Sequence, residues 1–195
     1  QNIIGRKLAD LLSMPDGYRG GEVAFAAYDA EIALRRGATL RADVFVSVPG
    51  VSSNRLDAPL PDAIVGQIAA APGVERVRRY RSVTVEGQFG PQLLVALEVA
   101  TDRDRASFQF LQGQPASAWP GFAQGQVLVS EPLAFRYDLA PGDTLRLLTE
   151  AGEREFTIAA VYADYGSDQG VVMIDLARYP ALWNDPRISS LGVYA

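Results

Sequence analysis

The 195-residue sequence contains no cysteine and no histidine, and Lys7 is its only lysine. The absence of cysteine and histidine excludes disulfides, thiol nucleophiles, Cys/His metal sites and every histidine-based catalytic triad. A single lysine leaves almost no room for Schiff-base chemistry. Aspartate and glutamate are therefore the acid–base groups that remain for any catalysis.

The sequence also lacks a long hydrophobic run. No stretch approaches the roughly 18 apolar residues of a membrane-spanning helix, so we expect this part of the protein to be soluble. Hydrophobic residues make up 48% of the chain and charged residues 21%, which predicts a folded globular protein. The formal net charge of −5 argues against binding to nucleic-acid phosphates. The first residue is Gln1, without an initiator methionine or a signal peptide, which suggests an excised or processed product.

The first 74 residues predict helices around one strand. Apolar spacing indicates a short helical arm at residues 3–12 and a second, alanine-rich helix over residues 22–40. Residues 42–48 are β-branched and aromatic, as in a strand. A helix with Ile64 and Ile68 on its buried face then precedes another strand. This strand, helix and strand form a split β-α-β unit.

Arginine is concentrated in the strand predicted for residues 74–86. The arginines of this strand are Arg76, Arg78, Arg79 and Arg81. An anion or nucleic-acid site would show such a cluster, but the acidic net charge favours an edge strand protected by charge. Alternating apolar residues over positions 93–99 predict the returning strand of a β-hairpin.

Residues 102–125 read as a polar-to-aromatic connector. Its large aromatic residues are Phe108, Phe110, Trp119 and Phe122. Such residues usually cap a core, whereas exposed together they would form a contact surface for a partner or an apolar ligand. Together with Tyr165 they are the candidate contact residues, and the sequence leaves both interpretations open.

The chain between residues 126 and 176 is organised by turns and caps. Ser130 predicts an N-cap for a short helix, because no histidine or G-x-S-x-G motif supports a role as nucleophile. Pro141-Gly142 predicts a tight turn, and a second hairpin follows it. Asp164 and Asp168 lie in a glycine loop without calcium-loop spacing. Asp175 predicts the cap of a helix that contains Tyr179 and Trp183, ahead of a last strand at residues 191–194.

Two segments resemble a known family. VLVSEPLAFRYDLAPGDTLRL (127–147) and FTIAAVYADYGSDQGVVMIDLARYPALW (156–183) are similar to the periplasmic core domain of MacB-like and FtsX-like ABC transporter permeases. In that family a strand and a Ser-Glu-led helix precede a Leu-x-Pro-Gly-Asp turn, a hairpin and a glycine loop. Residues 40–49 show a weaker similarity to the early strand of the family.

The resemblance implies a two-lobed α+β domain. After an N-terminal helical arm (1–21), a split β-α-β, porter-like lobe would comprise residues 22–107 and 167–195. A β-rich, sabre-like lobe (108–166) would be inserted between them. The domain would lie in the periplasm of a bacterial inner-membrane protein, between transmembrane helices outside this sequence.

The resemblance also implies a function without catalysis. The domain would transmit conformational change driven by a cytoplasmic ABC ATPase, or contact lipids, lipoproteins or periplasmic proteins. It implies no catalytic residue, metal or cofactor here, and the sequence has no P-loop motif. Two alternatives remain: a free-standing periplasmic binding module for an apolar ligand, and a hydrolase using Asp102/Asp104 or Asp164/Asp168.

Overall fold

A computed structural model describes residues 24–27, 42, 44–47, 58–164 and 170–194. In these ranges the strands are β1 (Ala24–Ala27), β2 (Val44–Ser47), β3 (Arg76–Gly87), β4 (Gly90–Leu97), β5 (Phe110–Gln112), β6 (Val127–Ser130), β7 (Thr144–Thr149), β8 (Gly152–Tyr162), β9 (Val171–Asp175) and β10 (Ser190–Tyr194). The helices are α1 (Asp62–Ala69), α2 (Asp102–Arg105), α3 (Pro115–Ala123), α4 (Glu131–Tyr137) and α5 (Tyr179–Trp183). Strands outnumber helices here, and the predicted α+β class is confirmed.

The strands belong to one mixed sheet. Its order is β1-β2-β10-β3-β4-β9-β6-β8-β5, and β7 pairs with both β8 and β3. Because β7 joins β8 to β3, the strands β3, β4, β9, β6, β8 and β7 close into a ring. The pairs β4–β9 and β6–β8 are parallel, and the other pairs are antiparallel.

Three apolar clusters stabilise this sheet. The largest draws residues from all six ring strands, for example Val85, Leu145 and Val172. A second cluster packs the buried side chains of α1 against β2 and β10. The third packs α3 against the opposite side of β6, β8 and β9 and includes Phe122. The core inside the ring and the core beneath α3 are therefore two separate hydrophobic cores.

Both predicted hairpins are confirmed, as β3–β4 and β7–β8. The predicted turn is confirmed as well. Gly142 has φ +97°, and the Asp143 N–H donates to the carbonyl of Ala140 at 3.1 Å. Proline before a glycine with positive φ is the sequence of a type II turn. Local turn chemistry thus determines where β7 begins.

Five local predictions are wrong, and the fifth, the side-chain cap by Ser130, is described with the site below. Within the predicted helix 22–40, residues Ala24–Ala27 are a strand that pairs with β2, since strand pairing overrides the helix preference of alanine. The remainder of that helix and the arm at 3–12 lie outside the described residues. The connector contains β5 and α3. Asp175 accepts the N–H of Ala177 in a turn, and α5 starts only at Tyr179.

The fourth error concerns the arginine-rich strand. β3 is not an edge strand, because it lies between β10 and β4. Its arginines are not exposed along the edge of a sheet, because Arg78 and Arg81 are buried beside carboxylates. Of the helices in the described ranges, none combines the length and the apolar character that crossing a membrane requires.

Candidate functional site

The four aromatic side chains of the predicted contact set lie together around Trp119. The centroid of its ring is 5.1 Å from that of Phe108, 5.1 Å from that of Phe110 and 6.0 Å from that of Phe122. Phe108 and Phe122 approach edge-on, which is the favoured arrangement because ring edges are positive and ring faces negative. β5 and α3, which sequence reasoning treated as a connector, bring these residues to one place.

The cluster has a buried side and an exposed side. Phe122 is only 2% exposed and packs into the third core cluster, whereas Phe108, Phe110 and Trp119 are half-buried against it. The adjacent Leu111 is 42% exposed. The cluster therefore caps the core and at the same time presents an apolar surface. Tyr165, the remaining candidate, lies outside the described residues.

The backbone around β5 brings the aromatic residues close to the sheet. Gly113 has φ +91°, and a Cβ there would lie 2.9 Å from the Cβ of Ala160. Only glycine fits this close approach, which directs the chain from β5 into α3. Among the described strands β5 ends the sheet, so its outer edge has no neighbouring strand.

Sequence reasoning missed one signal for this surface. Residues 106–130 include no Asp, Glu, Lys or Arg, although 21% of the whole chain is charged. The uncharged segment covers β5, α3 and β6. Burial accounts for the absence of charge in β6 and in part of α3, but the exposed residues of β5 and α3 also carry no charge, which makes their surface a candidate for a contact.

Beside the aromatic cluster lies a buried ion-pair network. Arg78 is 0% exposed, and its Nε donates to the carbonyl of Glu98 at 3.0 Å and lies 3.8 Å from Asp104 Oδ1. Its guanidinium carbon is 5.5 Å from the ring centroid of Tyr80 and 5.7 Å from that of Phe108. Within the described residues its two terminal nitrogens have no hydrogen-bond partner, so the aromatic faces stabilise the charge.

Asp104 holds this network together. Its Oδ1 lies 3.0 Å from Arg76 Nη2, and it completes a capping box with Thr101 at the start of α2. Burial by itself would raise the pKa of Asp104, but the hydrogen bond from Thr101 and the charges of Arg78 and Arg76 outweigh it and lower the pKa. Asp104 is therefore a structural carboxylate.

A second network links β3 to the chain before β10. The guanidinium of Arg81 donates to Asp185 Oδ2 through Nε at 2.8 Å, and its Nη1 donates to Ser189 Oγ at 2.9 Å. Asp185 also accepts from the Tyr179 hydroxyl at 3.1 Å and from Arg187 Nε at 2.6 Å. Burial would raise the pKa of Asp185, but the hydrogen bonds from Arg187 and Arg81 hold it well below its usual value.

Three of the four carboxylates considered for hydrolysis are bound to other side chains of the fold. Asp102 is exposed and pairs with Arg105, whereas Asp104 turns inward to Arg76. Asp164 is buried and accepts a hydrogen bond from the Tyr162 hydroxyl at 3.3 Å. Asp168 lies outside the described residues. The pair on α2 does not face a common cleft, because its two members point to different arginines.

Ser130 precedes α4 as predicted, but its side chain does not cap that helix. Its Oγ accepts the N–H of Val171 at 2.8 Å, which ties the end of β6 to the start of β9. The tertiary partner displaces the local one because both residues are buried where the two strands meet. Within the described ranges, no three Asp or Glu side chains are grouped so as to hold a metal ion.

Comparisons with known proteins give one clear sequence match. No protein-family model matches the chain. The chain is 33% identical over 160 residues to an uncharacterised ABC transporter permease protein of Mycobacterium tuberculosis. The match covers 80% of this chain and 19% of that protein, so the chain spans less than a fifth of the length of the curated relative.

Two solved structures share the fold. One is the extracellular domain of the noncanonic ABC-type transporter YknZ from Gram-positive bacteria, with a TM-score of 0.50 and 10% identity over 74% of this chain and 76% of that one. The other is the periplasmic region of MacB from Actinobacillus actinomycetemcomitans, with a TM-score of 0.50 and 14% identity over 77% of this chain and 72% of that one. The predicted resemblance is therefore confirmed: this chain matches a segment of an ABC transporter permease and has the fold of the MacB-like extracytoplasmic domains of such transporters.

Proposed function

We propose that this chain is the extracytoplasmic domain of a bacterial inner-membrane ABC transporter permease. The observation that carries the proposal is the 33% identity to a permease over 80% of the chain. The fold shared with an extracellular and a periplasmic transporter domain supports the same placement. The transmembrane helices and the ATPase that drives transport would lie outside this sequence.

Within the permease the domain acts mechanically and does not catalyse a reaction. Asp104 and Asp185, the carboxylates of the two ion-pair networks, are both engaged by arginine, which leaves them unsuited to proton transfer. The domain would transmit movement from the membrane helices, and it would meet lipids, lipoproteins or periplasmic proteins through its surface. It binds no nucleotide of its own in this proposal.

A labelling experiment tests the placement. The complete permease, with any other cysteine replaced, would carry Ala116→Cys on the exposed side of α3, since this stretch of the protein has no cysteine of its own. In intact spheroplasts, a membrane-impermeant maleimide is expected to label that cysteine. Labelling that occurs only after the membrane is disrupted would place the domain in the cytoplasm and refute the proposal.

We also propose the division into two lobes, with residues 108–166 inserted into a lobe formed by 22–107 and 167–195. The sheet topology supports it, because the inserted segment meets the rest of the sheet at two junctions, β9–β6 and β3–β7. Strands β6 and β9 are paired at two positions and strands β3 and β7 at one, whereas β3 and β4 are paired at eight. The residues before 22 lie outside the described part of the chain.

The aromatic surface of Phe108, Phe110, Trp119 and Phe122 is our candidate contact surface for a partner or an apolar ligand. Its partial exposure and the uncharged segment around it support this role. Trp119 provides the probe, because its fluorescence responds to an occupant. Titration with a hydrophobic dye should shift its emission in a Trp183→Phe chain, in which Trp119 is the remaining tryptophan. If Phe110→Ala left dye binding unchanged, this surface would not be the contact.

A further inference from the structure

We propose that the ring of six strands opens at the junction of β3 and β7, while the junction of β6 and β9 remains closed as the hinge. The inference rests on the two-lobe proposal, because these two junctions join segment 108–166 to the rest of the sheet. To that proposal we add which of the two junctions separates and which contacts keep it closed.

The β3–β7 junction is the thinnest contact in the ring. Gly87 and Leu147 are its single paired position, whereas β7 pairs with β8 at six positions on its other side. A Cβ at Gly87 would lie 3.0 Å from Leu147 Cδ2 and 3.1 Å from the carbonyl oxygen of Arg146. The two strands therefore touch closely, but they have no ladder of hydrogen bonds that would make their separation cooperative.

One backbone hydrogen bond and a few side-chain contacts take the place of the missing ladder at this junction. The N–H of Gln88 donates to the Arg146 carbonyl at 3.0 Å, and Gln88 Oε1 accepts the Arg146 N–H at 3.1 Å. Next to this clamp, the rings of Phe89 and Tyr137 stack with centroids 3.8 Å apart and planes 4° apart. Gln88 and both rings are only partly buried, so water can compete for each of these contacts.

The β6–β9 junction is short but strongly reinforced. Val129 pairs with Val172, and both are 0% exposed. Ser130 Oγ accepts the N–H of Val171, and a Cβ at Gly170 would lie 2.5 Å from the Cβ of Leu133. Buried packing is present at both junctions, since Leu147 is also fully buried, but only β6–β9 adds a buried side-chain hydrogen bond. A force on the insert is therefore released at β3–β7 first.

Helix α5 links the β7–β8 hairpin to the rest of the chain, and its two bonds to the hairpin have to yield as the junction opens, because Tyr179 of α5 stays bound through Asp185 to Arg81 of β3. The N–H of Glu150 donates to the Leu182 carbonyl at 3.0 Å, and Trp183 Nε1 donates to the Leu148 carbonyl at 2.9 Å. Opening at the junction would therefore shift the insert, with its aromatic surface, relative to β3, β4 and β10. That displacement is a route by which motion in the membrane reaches the contact surface.

Amide hydrogen exchange of the 195-residue chain, resolved by NMR, tests the inference. We expect the amides of Gln88 and Arg146, the two N–H groups that bond across the junction, to exchange faster than those in the middle of the β3–β4 ladder. Tyr137→Ala should speed their exchange about five-fold, the factor that the loss of one aromatic pair predicts. Tyr137→Phe, which keeps the stack, should change it less than about two-fold. The β6–β9 amides should not respond to either variant.

A disulfide provides the second arm, because the chain has no other cysteine. Oxidised Gln88→Cys/Arg146→Cys should slow the exchange of the amides at positions 88 and 146, whereas the matched Thr84→Cys/Leu93→Cys bond across β3–β4 should not. If the amides at positions 88 and 146 exchanged at the rate of the β3–β4 ladder, or if both disulfides acted alike, the junction would open only on global unfolding, which overturns the inference. This readout is independent of the maleimide labelling, so either proposal can fail alone.

Discussion

At the scale of single residues, two buried arginines and their acidic partners hold loops in place against β3. Arg78 and Arg81 are an odd number of residues apart in one strand, so their charges enter different networks on opposite faces of the sheet. Their partners, Asp104 and Asp185, come from distant parts of the chain. Each network fixes a loop onto β3, because a buried charge left without its partner is strongly unfavourable.

Asp185→Asn should destabilise the chain by about 3 kcal/mol at neutral pH, since Arg81 would lose its charged partner in a buried site. The pKa of Asp185 is lowered by folding, so protons bind the unfolded chain more tightly. Its contribution is therefore present above about pH 4, the unfolded pKa, and is lost as the pH falls below that. Urea unfolding between about pH 2 and pH 7 measures the effect.

Asp102→Asn is the matched control for that experiment, because Asp102 is exposed and its pair with Arg105 is worth less than about 1 kcal/mol. The stability of the Asp185 variant should fall less steeply with acid than that of the wild type. If the free energy of unfolding fell with pH in the same way for the Asp185 variant and the wild type, Asp185 would not stabilise the fold through its charge.

Gly170→Ala should destabilise the chain by about 2–4 kcal/mol. The residue has φ +87°, and a Cβ there would lie 2.9 Å or less from the Cα, Cβ and N of Leu133. Gly66→Ala in α1 is the opposite case, because no atom lies within 4 Å of the added Cβ. It should stabilise by up to about 1 kcal/mol. Thermal unfolding of both variants checks the pair, and equal shifts would contradict the packing argument.

At the scale of elements, the short strands and helices depend on tertiary contacts more than on local preference. β6 has four residues, yet all of them are buried between β8 and β9. α4 lacks a side-chain cap because Ser130 bonds across to β9. A helix of seven residues is marginal in isolation, so packing of Leu133 and Ala134 into the ring core must hold it.

Ser130→Ala should cost about 1–3 kcal/mol, because the N–H of Val171 would remain buried without an acceptor. Ser117→Ala removes a hydroxyl whose bond to the Gln114 carbonyl is exposed to water, so its effect should stay within about 0.5 kcal/mol. Denaturant unfolding of both variants gives the comparison. If Ser130→Ala were as mild as Ser117→Ala, water would be reaching the β6–β9 junction.

At the scale of the whole molecule, the sheet joins segments that are far apart in sequence. β10, from the end of the chain, lies between β2 and β3, and β9 lies between β4 and β6. The proposed insert therefore starts and ends inside one continuous sheet. In the proposed two-lobe division, movement of either part would strain a strand junction, and this strain would couple the two parts mechanically.

The whole molecule should lose stability at alkaline pH. Burial, aided by Asp185, raises the pKa of Tyr179 to about 12, and burial also raises the pKa values of Tyr80 and Tyr162. A raised pKa favours the folded state fully below about pH 10, the unfolded value, and the contribution is lost as the pH rises above it. Ultraviolet absorbance titration of the phenolate should show a fraction of the tyrosines titrating only on unfolding. If all tyrosines ionised near pH 10 in the folded chain, the buried environment would be refuted.

Local chemistry was enough to predict elements whose partners are near in sequence. The two hairpins and the Pro141-Gly142 turn follow from alternation and backbone preference, and the stripe of Ile64 and Ile68 predicts α1. Four residues of the predicted aromatic contact set lie together, although nothing in their spacing indicates that Trp119 is the centre, and their role as a contact surface stays a prediction.

The errors occur where a distant partner decides. The pattern of β3 suggests an exposed edge, because sequence alone cannot reveal that β10 and two acidic residues will cover its arginines. Ser130 has the position of a cap, but its hydroxyl is within reach of β9. The sequence by itself determined the turns, the core-facing residues and the family resemblance, since these depend on local geometry and composition. Only the tertiary structure decided strand order, the pairing of buried charges and the closure of the ring at Gly87 and Leu147, because each of these requires groups far apart in the chain to meet.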